Sequence, residues 1–430
     1  MAPLRRKLGN TLPALMVRGG GLGLQIAMSV AVARLLGAEG MGLYTLYVTW
    51  MVLFADLVSM GMPVYALRTV AALKARGQGN AAGSFVRQAL GLVLSVGAVI
   101  LLLPWWAAGS MARWIAGDVN LASAFQMAAV SAWLFVGLRI LTETLKAIGA
   151  TQRGLFVESA AIPLVILLLL PVLILHDCLD GESLLWLHVM ATGLAFALAA
   201  ALWRSLCRGL GGVPGESFPA YSPALWPLWG GALLNVAYVN LPILLLPQFA
   251  TVEELGQFGV AFRLMNLVTV ILVTLAAIFG PQFAAAYALK NAARLRDLLK
   301  RSQQFSLLLF APFLLAFTLL AGPVLSLFGE EFQEAKPLLW ILALGQLVNA
   351  ATGLVGYLLN MMHQERTEFA ILLGTGGVML VCMMITGPVA GVLGVTLAYS
   401  AGLMLKNLLS LMFSLQHLRR LETSASSQGT

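Results

Sequence analysis

Charge is scarce in this chain. Only 10% of its 430 residues are Asp, Glu, Lys or Arg, where a soluble domain carries about 25%. No polar stretch is long enough to fold by itself, which argues against a large extramembrane catalytic or nucleic-acid-binding module. Cysteine is scarcer still. Cys178, Cys207 and Cys382 lie far apart without a C-x-x-C, so neither a disulfide framework nor a cysteine metal site is expected. Four histidines form no metal-spaced cluster. There is no Walker loop for a nucleotide and no Ser/His/Asp set for nucleophilic chemistry. No metal and no cofactor is expected, and the chain does not read as an enzyme.

What the chain has is apolar length. Hydrophobic residues make up 60% of it, in runs that match the ~20 residues a membrane crossing needs. Twelve spans are expected, at about 12–36, 42–64, 82–104, 119–144, 155–175, 183–204, 222–248, 255–279, 303–328, 337–361, 367–387 and 391–415. The fold class is therefore an all-α polytopic membrane protein. "RRK" at Arg5–Lys7 followed by "AVA" at Ala31–Ala33 imitates a signal peptide. The apolar stretch is too long for one, and further spans follow, so it reads as an uncleaved first helix.

The basic residues test the count. Sorted by loop, 21 of the 26 Lys and Arg fall on the side of both termini, and three, Arg34, Arg113 and Lys336, on the other. Arg139 and Arg263 stay within spans. Such a bias puts both termini in the cytoplasm. The net charge of +8 is then a topology signal, and no nucleic-acid partner is expected. The inner loops 65–88 and 282–301 interleave leucines with cations, which suits amphipathic helices lying at an anionic leaflet and touching membrane lipids.

The halves echo each other. "EGMGLY" (Glu39–Tyr44) matches "EELGQF" (Glu253–Phe258) at an offset of 214, and "YALRTVAALK" (Tyr65–Lys74) matches "YALKNAARLR" (Tyr287–Arg296) at 222. "AGDVNLASA" (Ala116–Ala124) precedes span four as "FGEEFQEAK" (Phe328–Lys336) precedes span ten, and "TQRGLF" (Thr151–Phe156) answers "QERTEF" (Gln364–Phe369). Six spans per half give a parallel repeat, as in transporters built from two bundles. The Gly/Pro-rich stretch from Arg208 to Pro223 reads as the linker, dividing an N-terminal bundle, 1–210, from a C-terminal one, 211–430.

"ARLLGAEGMGLYTLYVTWMVLFADLVSMGMP" (Ala33–Pro63), "ELGQFGVAFRLMNLV…GPQFAAAYA", "LFGEEFQEAKPLLWILALGQLV" and "MMHQERTEF" resemble, in order and across both halves, the polysaccharide (O-antigen-type) flippases. These belong to the multidrug/oligosaccharidyl-lipid/polysaccharide exporter superfamily. The resemblance implies a bacterial inner-membrane protein with two six-helix bundles around a cationic central cavity. It implies translocation of undecaprenyl-pyrophosphate-linked oligosaccharide to the periplasmic leaflet by alternating access, for O-antigen, capsule or exopolysaccharide assembly. Glycan polymerase and ligase machinery would be partners. Lipid II flippases of the superfamily have two further helices, so twelve spans favour the polysaccharide branch. The alternative is a cation-coupled drug efflux antiporter of the same superfamily.

The charges within spans are the candidate site. Arg263 lies about eight residues, ~12 Å at 1.5 Å per residue, from the outer end of span eight. A charge that deep costs at least ~2.5–3.5 kcal/mol and belongs against protein or water. Its guanidinium suits phosphate oxygens. Arg18, Lys406 and Asn266 are the other substrate-binding candidates. Asp56, in span two, is the candidate for proton or sodium coupling, or else the structural partner of Arg263 or Lys406. Arg139, Glu143 and Lys146 at i, i+4 and i+7 are expected to neutralise one another along one helix face. His188 reads as a bonded interior residue, and Asn235, Asn240 and Asn349 as glue between helices. Gly19, Gly20, Gly21 and Gly23 in span one, and the prolines around span seven, mark helices that pack closely or bend.

Overall fold

The computed structural model describes residues 2–116, 121–207 and 225–426. The expected linker at 208–223 lies outside them. Among the described residues every regular element is helical. In chain order these are α1 (Ala2–Ser59), α2 (Met62–Ala75), α3 (Gly79–Trp106), α4 (Ala108–Ala116), α5 (Ala122–Ala147) and α6 (Thr151–Phe156). A π turn over Val157–Ala161 leads into α7 (Ile162–Leu175), followed by α8 (Gly181–Cys207). The second half has α9 (Leu225–Leu245), α10 (Val252–Ala288), α11 (Ala292–Leu319), α12 (Ala321–Ser326), α13 (Lys336–Thr352), α14 (Val355–Met361) and α15 (Glu365–Ser426).

Two of these helices are too long to be single spans. The 44-residue stretch of α1 from Met16 to Ser59 would extend about 66 Å, twice the ~30 Å hydrocarbon core. Gly37 (φ 69°, ψ −171°) breaks α1, and Gly391 (φ 53°, ψ −134°) breaks α15. Without a Cβ, glycine takes such angles freely. A third break, at Gly353, bends α14 by 40° from α13 within one crossing. Counted this way, the described helices supply the twelve expected spans, in a multi-pass membrane protein.

The internal repeat is written in the helix ends. After α2, Gln78 N–H donates to Leu73 O and Gly77 N–H to Lys74 O. After α10, Asn291 N–H donates to Ala286 O and Lys290 N–H to Tyr287 O. Both turns close their helices by the same crossed pair of bonds, with a left-handed residue at the corner. That residue is Gly77 (φ 72°) in one half and Lys290 (φ 50°) in the other, 213 positions later. Gly149 and His363 hold the same place in a second pair of turns. There Ala150 donates to Leu145 O and Gln364 to Leu359 O.

This register corrects the sequence match at offset 222. "YALRTVAALK" lies wholly within α2, whereas "YALKNAARLR" straddles the turn that ends α10. The two stretches share composition and not position. The expected surface helices are corrected as well. Leu295, Leu298 and Leu299 of α11 are buried in a core with Phe279, Phe283, Leu358 and Leu418, and Val70 and Leu73 of α2 are buried too. These apolar faces find protein neighbours, although Leu289, in the turn after α10, is exposed.

The chain forms two compact units, Met1–Asn240 and Leu241–Thr430, with the division inside α9. In the first unit α5 is innermost, flanked by α1, α2, α3 and α8. Small residues allow this: Ala124, Ala128, Ala129 and Ala132 are buried. A Cβ on Gly137 would come 2.7 Å from the Phe196 ring. Close backbone approach is what joins helices in lipid, where burial of oil against oil has no drive.

Candidate functional site

In the first unit the site begins with Asp56, four residues before α1 ends at Met60 and Gly61, both with positive φ. Its side chain is 3% exposed. Arg139 of α5 reaches it, Nη1 to Oδ1 at 2.5 Å. The arginine side chain is itself 33% exposed. A guanidinium has five N–H donors in a planar fork. One is spent on the buried carboxylate, which orients the group, and the open side keeps donors for another acceptor.

This partner differs from those expected. Asp56 pairs with Arg139, and Arg139 does not neutralise along its own helix. Glu143 is taken by Lys146 at 2.7 Å, and Lys146 also reaches Glu158 at 2.9 Å. With Glu143 occupied, Arg139 turns across to α1.

Glu158 sits in the π turn, whose cause is local. Pro163 has no N–H to give the carbonyl of Ser159 four residues back. Gln25 of α1 fills that gap, its Nε2 donating to Ser159 O at 3.2 Å. Gly21 permits the approach, since a Cβ there would lie 2.3 Å from Ser159 Oγ. Gly19, Gly20 and Gly23 face open space and α1 stays helical through them, so of these four glycines Gly21 alone makes a close contact. Gln25 was not singled out in the sequence, although Pro163, the reason for it, is legible there.

The break at Met60–Gly61 frees a second carbonyl. Gly61 N–H donates to Ser59 Oγ at 3.3 Å and not to Leu57. Trp229 of α9 supplies the missing donor, Nε1 to Leu57 O at 2.9 Å. A Cβ on Gly61 would lie 2.9 Å from Leu225 O, so the start of α9 rests on a glycine that has no room for a side chain.

In the second unit Lys406 pairs with Glu368, Nζ to Oε1 at 2.7 Å, with side chains 18% and 14% exposed. Ser410 Oγ donates to Glu368 Oε2 at 2.8 Å. Gly356 of α14 closes the cluster: a Cβ there would lie 2.6 Å from Glu368 Oε1 and 3.3 Å from Lys406 Nζ. Arg263 and Asn266 are half-buried in α10, and Arg18 is exposed in α1. Asn266 O accepts from Thr269 Oγ1 at 2.6 Å.

The remaining polar candidates are structural. His188 Nδ1 lies 3.0 Å from Tyr44 Oη, and Tyr47 Oη lies 2.5 Å from Ser131 Oγ. This buried network ties α1 to α5 and α8. Asn240 and Asn349 do not bridge helices. Asn240 donates to Val236 O and Asn349 to Gln346 Oε1 on their own helices, because a short amide finds the preceding turn first. Asn235 is exposed.

Residues 8–286 match the family described as polysaccharide biosynthesis protein. No curated protein matches the chain. Among solved structures, the chain is similar to an inward-facing multidrug resistance MATE family transporter of the MOP superfamily. The TM-score is 0.73 at 14% identity, over 96% of this chain and 99% of that one. It is similar to the lipid II flippase MurJ in an inward closed conformation, with TM-score 0.70 at 13% identity, over 94% and 87%. It is also similar to a MATE transporter of Vibrio cholerae, with TM-score 0.64 at 17% identity, over 97% and 98%. Identities this low show a shared fold.

Proposed function

Because the chain belongs to the polysaccharide biosynthesis protein family, we propose that it is a lipid-linked oligosaccharide flippase. It moves an undecaprenyl-pyrophosphate-linked sugar unit from the cytoplasmic to the periplasmic leaflet of a bacterial inner membrane by alternating access. The product feeds O-antigen, capsule or exopolysaccharide assembly. Both termini lie in the cytoplasm, in keeping with the one-sided distribution of Lys and Arg.

The observation that carries this reading is the Arg139–Asp56 pair. A guanidinium inside a spanning segment, fixed by a buried carboxylate and open on its other side, is built to receive an anion. The pyrophosphate is the anion that the family's substrates offer. Asp56 and the pyrophosphate compete for one cation. Asp56 is thus the coupling group, for a proton or a sodium ion, because whatever neutralises it frees Arg139 for the lipid head. Arg18, Arg263, Asn266 and Lys406 are further candidate donors to phosphate or sugar.

The test uses purified full-length protein in proteoliposomes with a fluorescent polyprenyl-pyrophosphate oligosaccharide, whose leaflet is read by quencher access. Protein-dependent flipping is expected, reduced by about tenfold or more in Arg139→Gln, the effect of losing one charge-assisted bond. In cells, Arg263→Ala is expected to strip surface glycan and leave drug sensitivity unchanged. Intact glycan with altered drug resistance would replace this reading with cation-coupled drug efflux.

A further inference from the structure

A cavity of about 270 Å³ opens beside the break in α1, lined by Leu57, Met60, Val96, Ile100, Leu225, Trp226 and Trp229. Its walls come from the end of α1, the middle of α3 and the start of α9. Each lining side chain is aliphatic, a thioether or an indole. The Trp229 N–H is already committed to Leu57 O, and its ring meets that of Trp226 edge-on at 5.6 Å. Ordered water needs two to four polar partners, and a cavity lined this way stays dry and takes hydrocarbon.

The position of the cavity narrows the occupant. α1 and α3 have the length and composition of membrane spans, and two of the lining residues, Ile100 and Trp226, are 37% and 55% exposed; apolar surface open within a span suits acyl chains. Leu57 in the wall directly follows Asp56, whose partner Arg139 keeps an exposed side. One helix therefore carries, at neighbouring residues, a wall of a dry apolar slot and the buried partner of an arginine with an open side. An anionic amphiphile needs both kinds of surface.

We infer that the cavity between α1, α3 and α9 holds the isoprenoid chain of the carrier lipid while Arg139 takes its head group. The inference rests on the flippase reading and adds to it a docking place for the tail. The chain stays in hydrocarbon throughout, and the cavity fixes where along the protein it stays. Gly61 is part of the device, because a side chain there would clash with the Leu225 carbonyl and displace α9, one wall of the slot.

The test is photolabelling of the full-length protein in nanodiscs with a diazirine-bearing polyprenyl pyrophosphate, mapped by peptide mass spectrometry. Label is expected on α3 between Val96 and Ile100 and on Trp226 or Trp229, competed by unlabelled polyprenyl pyrophosphate. Val96→Phe fills the slot and is expected to cut that label by about tenfold. Leu102→Phe, at a 63% exposed position of the same helix, is expected to leave it unchanged. The wild-type map does not depend on either variant folding. Specific label that falls elsewhere overturns the inference and leaves the flippase reading standing. Equal, uncompeted labelling of the slot by a diazirine phosphatidylethanolamine also overturns it, since any lipid then enters. Absence of competed label at any position overturns both.

Discussion

Arg139 and Asp56 stand 83 positions apart in the chain and 2.5 Å apart in the fold, and their burial is unequal. The carboxylate is almost fully enclosed, while a third of the arginine side chain is open. The two halves of the pair therefore carry different costs. Removing Arg139 strands a buried charge, for which about 3–5 kcal/mol is typical. Removing the charge of Asp56 leaves an arginine that still has an open side. Arg139→Ala is expected to lower the thermal midpoint in detergent more than Asp56→Asn does. Equal losses would mean that the pair is buried symmetrically and that Arg139 has no open side.

The competition for Arg139 makes a further prediction about Asp56→Asn. The variant is expected to bind polyprenyl pyrophosphate more tightly than wild type and to turn over more slowly, because nothing reclaims the arginine. Equilibrium binding in nanodiscs and flipping rate, measured on one preparation, check this. Weaker binding together with slower flipping would remove Asp56 from the coupling role.

Trp229 and Gly61 guard the break in α1. Trp229→Phe keeps the ring and deletes the donor to Leu57 O, which leaves a carbonyl unsatisfied within a spanning segment. The expected loss is about 1–3 kcal/mol. Gly61→Ala adds a methyl at φ 72° against the Leu225 carbonyl. The left-handed conformation alone costs an L-residue roughly 1–2 kcal/mol, and the backbone contact adds to it. Chemical-denaturant or thermal titration with tryptophan fluorescence reads both. If Trp229→Phe unfolds as wild type does, the indole bond is incidental.

In the second unit the Glu368–Lys406 pair and Gly356 form one contact. Gly356→Ala is expected to destabilise by about 1–3 kcal/mol through overpacking, since the new methyl meets both charged ends. Lys406→Met is expected to cost more than the double variant Lys406→Met/Glu368→Gln, because the single change leaves a buried carboxylate alone. A double variant worse than the single one would show that the charges do not act as a pair.

Outside the membrane, Asp180 caps α8. Its Oδ1 accepts from Ser183 N–H at 2.7 Å, and Ser183 Oγ accepts from Asp180 N–H at 2.9 Å. The Ser183 backbone N–H, and after it the Ser183 hydroxyl, hold the Asp180 carboxyl below the usual carboxylate range. A depressed value in the folded state gives stability that is present above the unfolded value, about 3.9, and lost as pH falls through the folded one. Asp180→Ala is expected to cost roughly 0.5–2 kcal/mol at neutral pH, with the gap to wild type closing below about pH 3.9. A gap independent of pH would mean that the cap works without its charge.

Several levels of this structure are legible without coordinates. Twelve apolar runs give twelve spans, and the one-sided cations follow from the same reading. Gly77, Gly149 and Gly391 mark turns by their permissive backbone. Lys290, Asp177 and His363 fill comparable corners with positive φ and carry no such mark, which is why composition pairs two stretches at 222 where the turns pair at 213. The spacing of Leu295 and Leu299 puts them on one helix face, but the sequence does not say that the partner of that face is protein and not lipid.

The ionic pairs were not legible in this way. Each residue turns a helix by 100°, and whether Asp56 meets Arg139, Arg263 or Lys406 depends on the azimuth and height of helices distant in sequence. Hydropathy records depth and carries no azimuth. Gln25 at Ser159 and Trp229 at Leu57 were hidden for the same reason: the need for a donor is local, while its source is not.

The amino-acid order by itself determined a chain of membrane-crossing helices in two like halves, because transfer from water to hydrocarbon sums along the chain and needs no partner. The tertiary structure alone decided which charges are tied down, which keep an open side, and where an apolar slot lies beside them. Those outcomes arise when helix faces meet at contact distance, and no one-dimensional pattern encodes that meeting.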